Sequence, residues 1–480
     1  MATIIESHYL GKKGYTIAKS GMSEKELNQL KTDLTLKPQL PGQQFAGGMD
    51  INKPFPVYRE NEKKIYIPRF FGIERFGEPL RDDLDAGENI ELDFARELRD
   101  YQENIVQTYL QHVSSGKGGG ILEVPCGRGK TVIALNIISK IRKKSLILVH
   151  KEFLMNQWIE RIEEFLPGAR IGKIQAQICD IDQKDIVIGM IQTMYNKTFE
   201  QSVYSQFGMT IIDEVHRIGS EEFSKTLLKT ITPYMLGISA TVERKDKLTN
   251  LLYMFIGPKI YSEQRANEDP VCVRGIQYVT QDEDFNSVEY DYRGNTKFSS
   301  MIVKLCDYGP RSDFIVRVVK DLLEEKPDGQ IMILAHNKSL LKYLHDSIDA
   351  KAIASVGYYI GGMKQKDLQI TETKQIVIAT YAMAAEALDI KTLSTLIMAT
   401  PKTDITQSVG RILRMKHENP IVVDIVDGHE CFQKQWLQRK RYYKKCNYRI
   451  RCTTSENYST MKLDWTNDDS WVRVYEPKNI

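Results

Sequence analysis

One short segment limits the folds open to this chain more than any other. Val124-Pro-Cys-Gly127-Arg128-Gly129-Lys130-Thr131 follows an apolar run at 120–124 and leads into Val132-Ile-Ala-Leu-Asn-Ile-Ile138, which has the texture of a helix. Strand, glycine turn, Lys-Thr and helix in that order suit a parallel α/β architecture. Glycines let successive backbone N–H groups curl around an anion, and the helix N-terminus presents its partial positive charge to the same anion. Gly127, Arg128 and Gly129 would form the cradle, Lys130 would reach the β- and γ-phosphates of ATP, and the Thr131 hydroxyl would ligate Mg2+. The fullest form of the motif has another glycine where this chain has Val124. A glycine turn that merely feeds a helix with an exposed lysine would look the same locally, so a second motif has to decide.

That second motif is Met209-Thr-Ile-Ile-Asp213-Glu214-Val215-His216. It sets two carboxylates at the C-terminal end of a buried strand, which is where parallel sheets bind their ligands. Asp213 can hold Mg2+ through its shell, and Glu214 can accept the proton of an attacking water.

The surrounding pattern agrees. From about residue 98, short apolar runs at 120–124, 146–149, 186–189, 209–212 and 235–239 alternate with amphipathic stretches, as βαβ units do. A second block does the same, with runs at 331–335, 376–380, 395–398 and 421–425. The expected fold class is α/β, two tandem parallel-sheet domains with a small N-terminal α/β accessory domain and a basic helical C-terminal extension. The expected boundaries are 1–95, 96–262, a connector or insertion at 263–306, 307–430, and the extension at 431–480. In the accessory domain, Ser23 and Glu26 form a capping-box pattern before a helix, residues 38–48 read as a loop, and 55–58 with 65–67 read as a β-hairpin.

Composition narrows the setting. A length of 480 residues is too great for one ordinary core, and no apolar run approaches the ~18 residues of a membrane span. The first residues have neither a basic segment nor an apolar core of the secretory kind, so a soluble intracellular protein is expected. Seven scattered cysteines without a Cys-x-x-Cys pair suggest neither a disulfide framework nor a zinc ribbon. Net charge is only +3, yet residues 434–451 carry eight Lys or Arg and no acid. Within that run Trp436, Tyr442 and Tyr443 stand among the cations. Such a helix can neutralise phosphates and stack on bases, or it can be a solvated helix packed through its aromatics.

Taken in order, Gly127-Arg-Gly-Lys-Thr131, Asp213-Glu-Val-His216, Ser239-Ala-Thr241 and Gln407-Ser-Val-Gly-Arg411-Ile-Leu-Arg414 resemble motifs I, II, III and VI of superfamily 2 helicases. The resemblance spans about 98–427. Leu236-Gly-Ile-Ser-Ala-Thr241 followed by Arg244-Lys245-Asp246 and Ile256-Gly-Pro-Lys259 is most similar to the branch containing XPB, phage UvsW and the poxvirus transcript-release helicase, which points to a large DNA virus or phage source. XPB-type proteins have Arg-Glu-Asp where this chain has Arg244-Lys245-Asp246.

The resemblance implies two RecA-like domains with ATP between them and a nucleic-acid strand across both. It assigns Gln102 to the adenine edge, and Ser239 and Thr241 to the link between the nucleotide and the strand. Arg411 and Arg414, three residues apart on a helix, would stabilise charge on the transferring phosphoryl group, and Gln407 would position the water or phosphate. Residues 378–390 match motif V, with Ala387 where glycine is usual. There Thr380 would touch a phosphate of the strand and Asp389 would sense the nucleotide. Gln192 and Thr193 would lie along the strand, while Trp158, in the region of motif Ia, reads as a packing residue. The implied cofactors are ATP and Mg2+. The implied partner is DNA, with RNA or a hybrid as alternatives, together with transcription or repair machinery. A monomer is expected, in the virion or the infected-cell cytoplasm or nucleus if the source is viral. Movement along DNA is the first function implied; remodelling or release of complexes such as transcripts without unwinding is the alternative.

Overall fold

The structure is a computed structural model that describes residues 8–38, 53–125, 127–215, 220–243, 248–263, 270–386, 390–413, 415, 417–458 and 471–477. The chain divides into two compact units, 1–264 and 265–480.

The first unit is built on an eight-stranded sheet whose spatial order is Ile178–Asp180, Ile171–Gln175, Ile186–Met190, Ser145–Val149, Met209–Asp213, Tyr234–Ser239, Gly119–Glu123 and Lys259–Ser262. Every pairing is parallel except that of Ile178–Asp180 at the edge. Parallel strands need crossover connections, and here helices supply them on both faces, so the central strands are apolar on both sides. Within Ser145–Val149, Ile147 and Val149 join the core on one face while Leu146 and Leu148 join the core on the other. Met209–Asp213 and Tyr234–Ser239 lie between Gly119–Glu123 and its successor in the chain, Ser145–Val149. That reversal of strand order opens a crevice at the carboxyl edge, where α/β sheets take ligands.

The N-terminal residues add a four-stranded antiparallel sheet with its own small core around Tyr15, Ile17, Ile65 and Ile67. The capping box forms as expected: Ser23 N–H donates to Glu26 Oε2 at 2.8 Å, Glu26 N–H donates to Ser23 Oγ at 3.3 Å, and the helix runs Glu24–Asp33. The expected hairpin does not. Phe55–Pro56 pairs with Thr35–Leu36, and it is Arg59–Glu60 that folds back on Lys64–Ile67. Of the loop expected at 38–48, residues 39–48 lie outside the described residues.

The second unit repeats the architecture. Its eight-stranded sheet runs Val356–Tyr359, Ile376–Thr380, Gln330–Ala335, Leu393–Met398, Ile421–Asp427, Cys272–Tyr278, Arg449–Thr454 and Val472–Tyr475, with only the last strand antiparallel. Two segments differ from their sequence reading. Cys272–Tyr278, expected within a connector, lies between Ile421–Asp427 and Arg449–Thr454. Arg449–Thr454, expected in an extension, is also a strand of this sheet. The helix expected at 432–445 runs Glu430–Lys445 and buries Phe432, Trp436, Arg439 and Tyr443. Arg439 makes a two-pronged ion pair with Asp424 at 2.7 and 2.9 Å, and Tyr443 Oη donates to the same carboxylate at 3.0 Å. Much of this basic helix is therefore a brace, which is the packing alternative. Lys434, Arg441, Lys444 and Lys445 remain exposed.

Candidate active site

The phosphate turn is shaped by its glycines. Gly127 and Gly129 have φ of 84° and 77°, in the left-handed region that side chains with a Cβ avoid. Gly129 is also crowded: a Cβ there would lie 2.5 Å from Gln102 Nε2. The helix Lys130–Ile141 starts at once, so its first N–H groups face the turn.

Gln102, buried on the helix Asp100–His112, holds the turn from one side. Its Nε2 donates to the Arg128 carbonyl at 3.0 Å, and its Oε1 accepts from the Arg99 N–H at 3.1 Å. The amide that the resemblance assigns to adenine thus also ties this helix to the turn. Arg128 pairs with Glu263 at 2.5 Å and lies 4.5 Å from the centre of the Tyr101 ring.

Asp213 ends the strand Met209–Asp213, which is separated from Gly119–Glu123 by Tyr234–Ser239, and Glu214 follows it. Lys130 Nζ donates to Glu214 Oε1 at 2.8 Å, so the lysine of one motif and the carboxylate of the other meet. Glu214 takes a φ of 50°, rare for a residue other than glycine, and its N–H donates to the Ile238 carbonyl at 3.0 Å. The Ser239 hydroxyl donates to the Thr241 carbonyl at 2.7 Å and lies 3.5 Å from Glu214 Oε2, which places that motif beside the acids. Asp213 is buried and accepts from the indole N–H of Trp158 at 3.0 Å. Burial, and then the charge of Glu214, push the Asp213 carboxyl up to about 6; Lys130 and the Trp158 bond oppose that shift.

Two of these features were not read from the sequence. Trp158 is indeed buried in the core, but it is also the donor that orients Asp213. Glu123, the last residue of the strand before the turn, accepts from the Val242 N–H at 2.9 Å, from Lys259 at 2.9 Å and from Ser262 at 2.6 Å. These bonds hold its carboxyl below the usual range despite burial. A lone acid at a strand end is the only local signal it gives.

Among the described residues no group of three or more His, Cys, Asp or Glu is arranged to hold a metal. Mg2+ does not require one, since it binds through one or two carboxylates or hydroxyls together with phosphate oxygens and water. Thr131 and Asp213 suit it as oxygen donors, and a cation beside Asp213 would relieve the cost of burying that charge.

Gln192 and Thr193 lie on the helix Ile191–Asn196, which leaves the carboxyl edge of the same sheet two strands from Asp213. Gln192 is exposed; Thr193 Oγ1 accepts from the Ala176 N–H at 3.0 Å. The second unit carries Thr380 at the end of its strand, Gln407 on the helix Thr406–Gly410, and Arg411 on a 3-10 turn, Arg411–Leu413, that follows that helix. Arg411 is buried. Thr380 Oγ1 lies 3.4 Å from the Met383 N–H. Asp389, Arg414 and the stretch Arg244-Lys245-Asp246 lie outside the described residues.

Comparison with known families matches residues 95–244 to the type III restriction enzyme, res subunit, and 315–416 to the helicase conserved C-terminal domain. Fold and site together define a nucleic-acid-dependent ATPase of the helicase class. A protein of Acanthamoeba polyphaga mimivirus, provisionally named an ATP-dependent RNA helicase, is 33% identical over 473 residues, covering 96% of this chain and 89% of the relative. The chain belongs to the superfamily 2 helicases of the type found in large DNA viruses. The DNA 3'-5' translocase XPB2 of Sulfurisphaera tokodaii is 35% identical over 168 residues, 34% of this chain and 35% of that one. Dbp5 of S. cerevisiae, solved with RNA and ADP BeF3, shares the fold with a TM-score of 0.53 at 11% identity, over 76% of this chain and 91% of that one. Among the described residues no helix is long and apolar enough to cross a membrane.

Proposed function

We propose that this ATP-dependent motor acts on DNA in repair, replication or transcription, and that hydrolysis between the two RecA-like domains moves it along a strand. The observation that carries the reading is the contact of Lys130 with Glu214 beside a buried Asp213, on a turn shaped for phosphate. Lys130 and the N–H groups of 127–131 bind the phosphates, Thr131 and Asp213 hold Mg2+, and Glu214 takes a proton from the attacking water. When bound, Mg2+ neutralises charge on the phosphate oxygens. Gln102 reads the adenine, Asp389 senses the nucleotide, and Gln407, Arg411 and Arg414 complete the site from the second domain. Gln192, Thr193 and Thr380 contact the strand. Each cycle gives a step because the strand binds the two states of the motor unequally, the only way a ligand can shift such an equilibrium.

The name of the mimivirus relative favours RNA as the strand; the alternative activity is ATP-driven remodelling or release of complexes such as transcripts without unwinding. ATPase rates with single-stranded, duplex and forked DNA and with RNA separate the two, with fork unwinding as the second readout. Lys130→Ala should abolish turnover while much nucleic-acid binding survives; normal turnover in that variant would refute the assigned phosphate site.

A further inference from the structure

The segment 287–297 joins two buried anchors of the second unit. Phe285 on one side packs against Tyr278, Tyr308 and His429, and Met301 on the other is fully buried. Between them the chain makes a tight antiparallel turn that is held more firmly than an exposed loop needs. Lys297 N–H donates to the Glu289 carbonyl at 2.8 Å, Asp291 N–H to the Asn295 carbonyl at 2.8 Å, and Gly294 N–H to the Asp291 carbonyl at 3.0 Å. The Asp291 carboxylate accepts from the N–H groups of Arg293 and Asn295 at 2.8 and 2.9 Å. Gly294 supplies the positive φ, 79°, that closes the turn.

What this rigid turn presents is aromatic. Tyr292, at its corner, is 88% exposed and Tyr290 is 58% exposed. The Arg293 guanidinium lies 5.0 Å from the centre of the Tyr292 ring, so one face has a cation and the other is open to a flat partner. The strand Cys272–Tyr278 runs parallel to Ile376–Thr380 in one sheet, so the turn follows from the same carboxyl edge that carries Thr380. Of the two acids in the turn, Asp291 is engaged by the turn's own N–H groups. Arg293 and Lys297 at the corner and base are exposed.

We propose that Tyr292, backed by Arg293, is a stacking platform for an unpaired base of the nucleic-acid strand. The assignment rests on the motor reading above and adds a residue that recognises single-stranded substrate. A tyrosine with its backbone already fixed loses little entropy on binding, and a base has a π-face whatever its sequence, so the contact is tolerant of sequence.

The test measures affinity of the full chain for a single-stranded oligonucleotide containing 2-aminopurine and for a blunt duplex of the same sequence. Tyr292→Ala should weaken single-strand binding roughly 5- to 100-fold and quench the probe less, with little change on duplex. Tyr292→Phe should keep wild-type values, and thermal midpoints should not move because the ring is exposed. Wild-type single-strand affinity in Tyr292→Ala would overturn the proposal and leave a protein as the partner of this turn. Equal losses on both substrates would also overturn it. Failure of the wild-type chain to bind any nucleic acid would instead refute the motor reading.

Discussion

Arg439→Met removes the cation from the buried cluster under the basic C-terminal helix, and the structure sets the size of the effect. Arg439 and Asp424 are each about 1% exposed. The guanidinium makes two bonds to Asp424 and a third to the Lys402 carbonyl at 2.9 Å. Methionine can fill much of that volume, but Asp424 is left buried, with the Tyr443 hydroxyl still donating to it and its partner cation gone. Breaking such a pair costs about 3–5 kcal/mol, because one charge stays desolvated and uncompensated. For a unit of this size about 1 kcal/mol shifts the midpoint by roughly 2–4 °C, so a fall of roughly 6–20 °C in the second unit's transition is expected.

Tryptophan emission in a Trp158→Phe background reports that unit alone, since the other three tryptophans, at 436, 465 and 471, belong to it. The double variant Arg439→Met with Asp424→Leu should recover most of the loss, because no buried charge is then left unpaired. A shift below about 2 °C in the single variant would refute the brace and return Arg439 to the exposed cations.

Two further outcomes test the first unit. Gly129→Ala should abolish nucleotide binding in equilibrium titration, since its Cβ meets Gln102 Nε2 at 2.5 Å and the position needs a positive φ; retained affinity would mean that the turn is not held as described. The raised carboxyl of Asp213 predicts that nucleotide-free protein gains stability as pH falls. Its folded value, about 6, lies above the free value of 3.8, so its contribution is complete below the free value and is lost as pH rises through 6. The contribution is at most about 3 kcal/mol, and thermal midpoints between about pH 4 and 7 should flatten in Asp213→Asn.

What was legible in the sequence follows from where the information sits. Strands such as Ile186–Met190 and Ile376–Thr380 are buried on both faces, so their apolar character is continuous and local. Ile171–Gln175 alternates buried and half-buried positions, with Lys173 among the latter, and reads as no such run. Cys272–Tyr278 was hidden for another reason: it buries Arg274, whose two-pronged pair with Glu325 at 2.7 and 2.6 Å comes from a helix 51 residues away. A cation in a sequence suggests solvent, and only the fold supplies its partner. Arg439 misleads in the same way. At the site, Lys130, Asp213 and Glu214 were legible because their chemistry lies in contiguous motifs. The Trp158 bond to Asp213 spans 55 residues and the Glu123 bonds span 119 to 139, and no local pattern encodes either.

These distant contacts explain why the phosphate turn holds its shape. Glycines give it the conformations it needs but also make it the most permissive backbone in the site. Its stiffness must come from side-chain contacts made beyond the turn, and they approach from several places. Gln102 grips the Arg128 carbonyl, Glu123 joins the strand before the turn to Val242 and Ser262, and Arg128 reaches Glu263. Two of those side chains, Glu123 and Arg128, hold 259–263, the last described residues before the chain passes into the second unit. The glycine turn and the segment by which the chain leaves the first unit are therefore one hydrogen-bonded block. At position 128 the side chain joins the turn to Glu263 while the backbone stays in the turn itself.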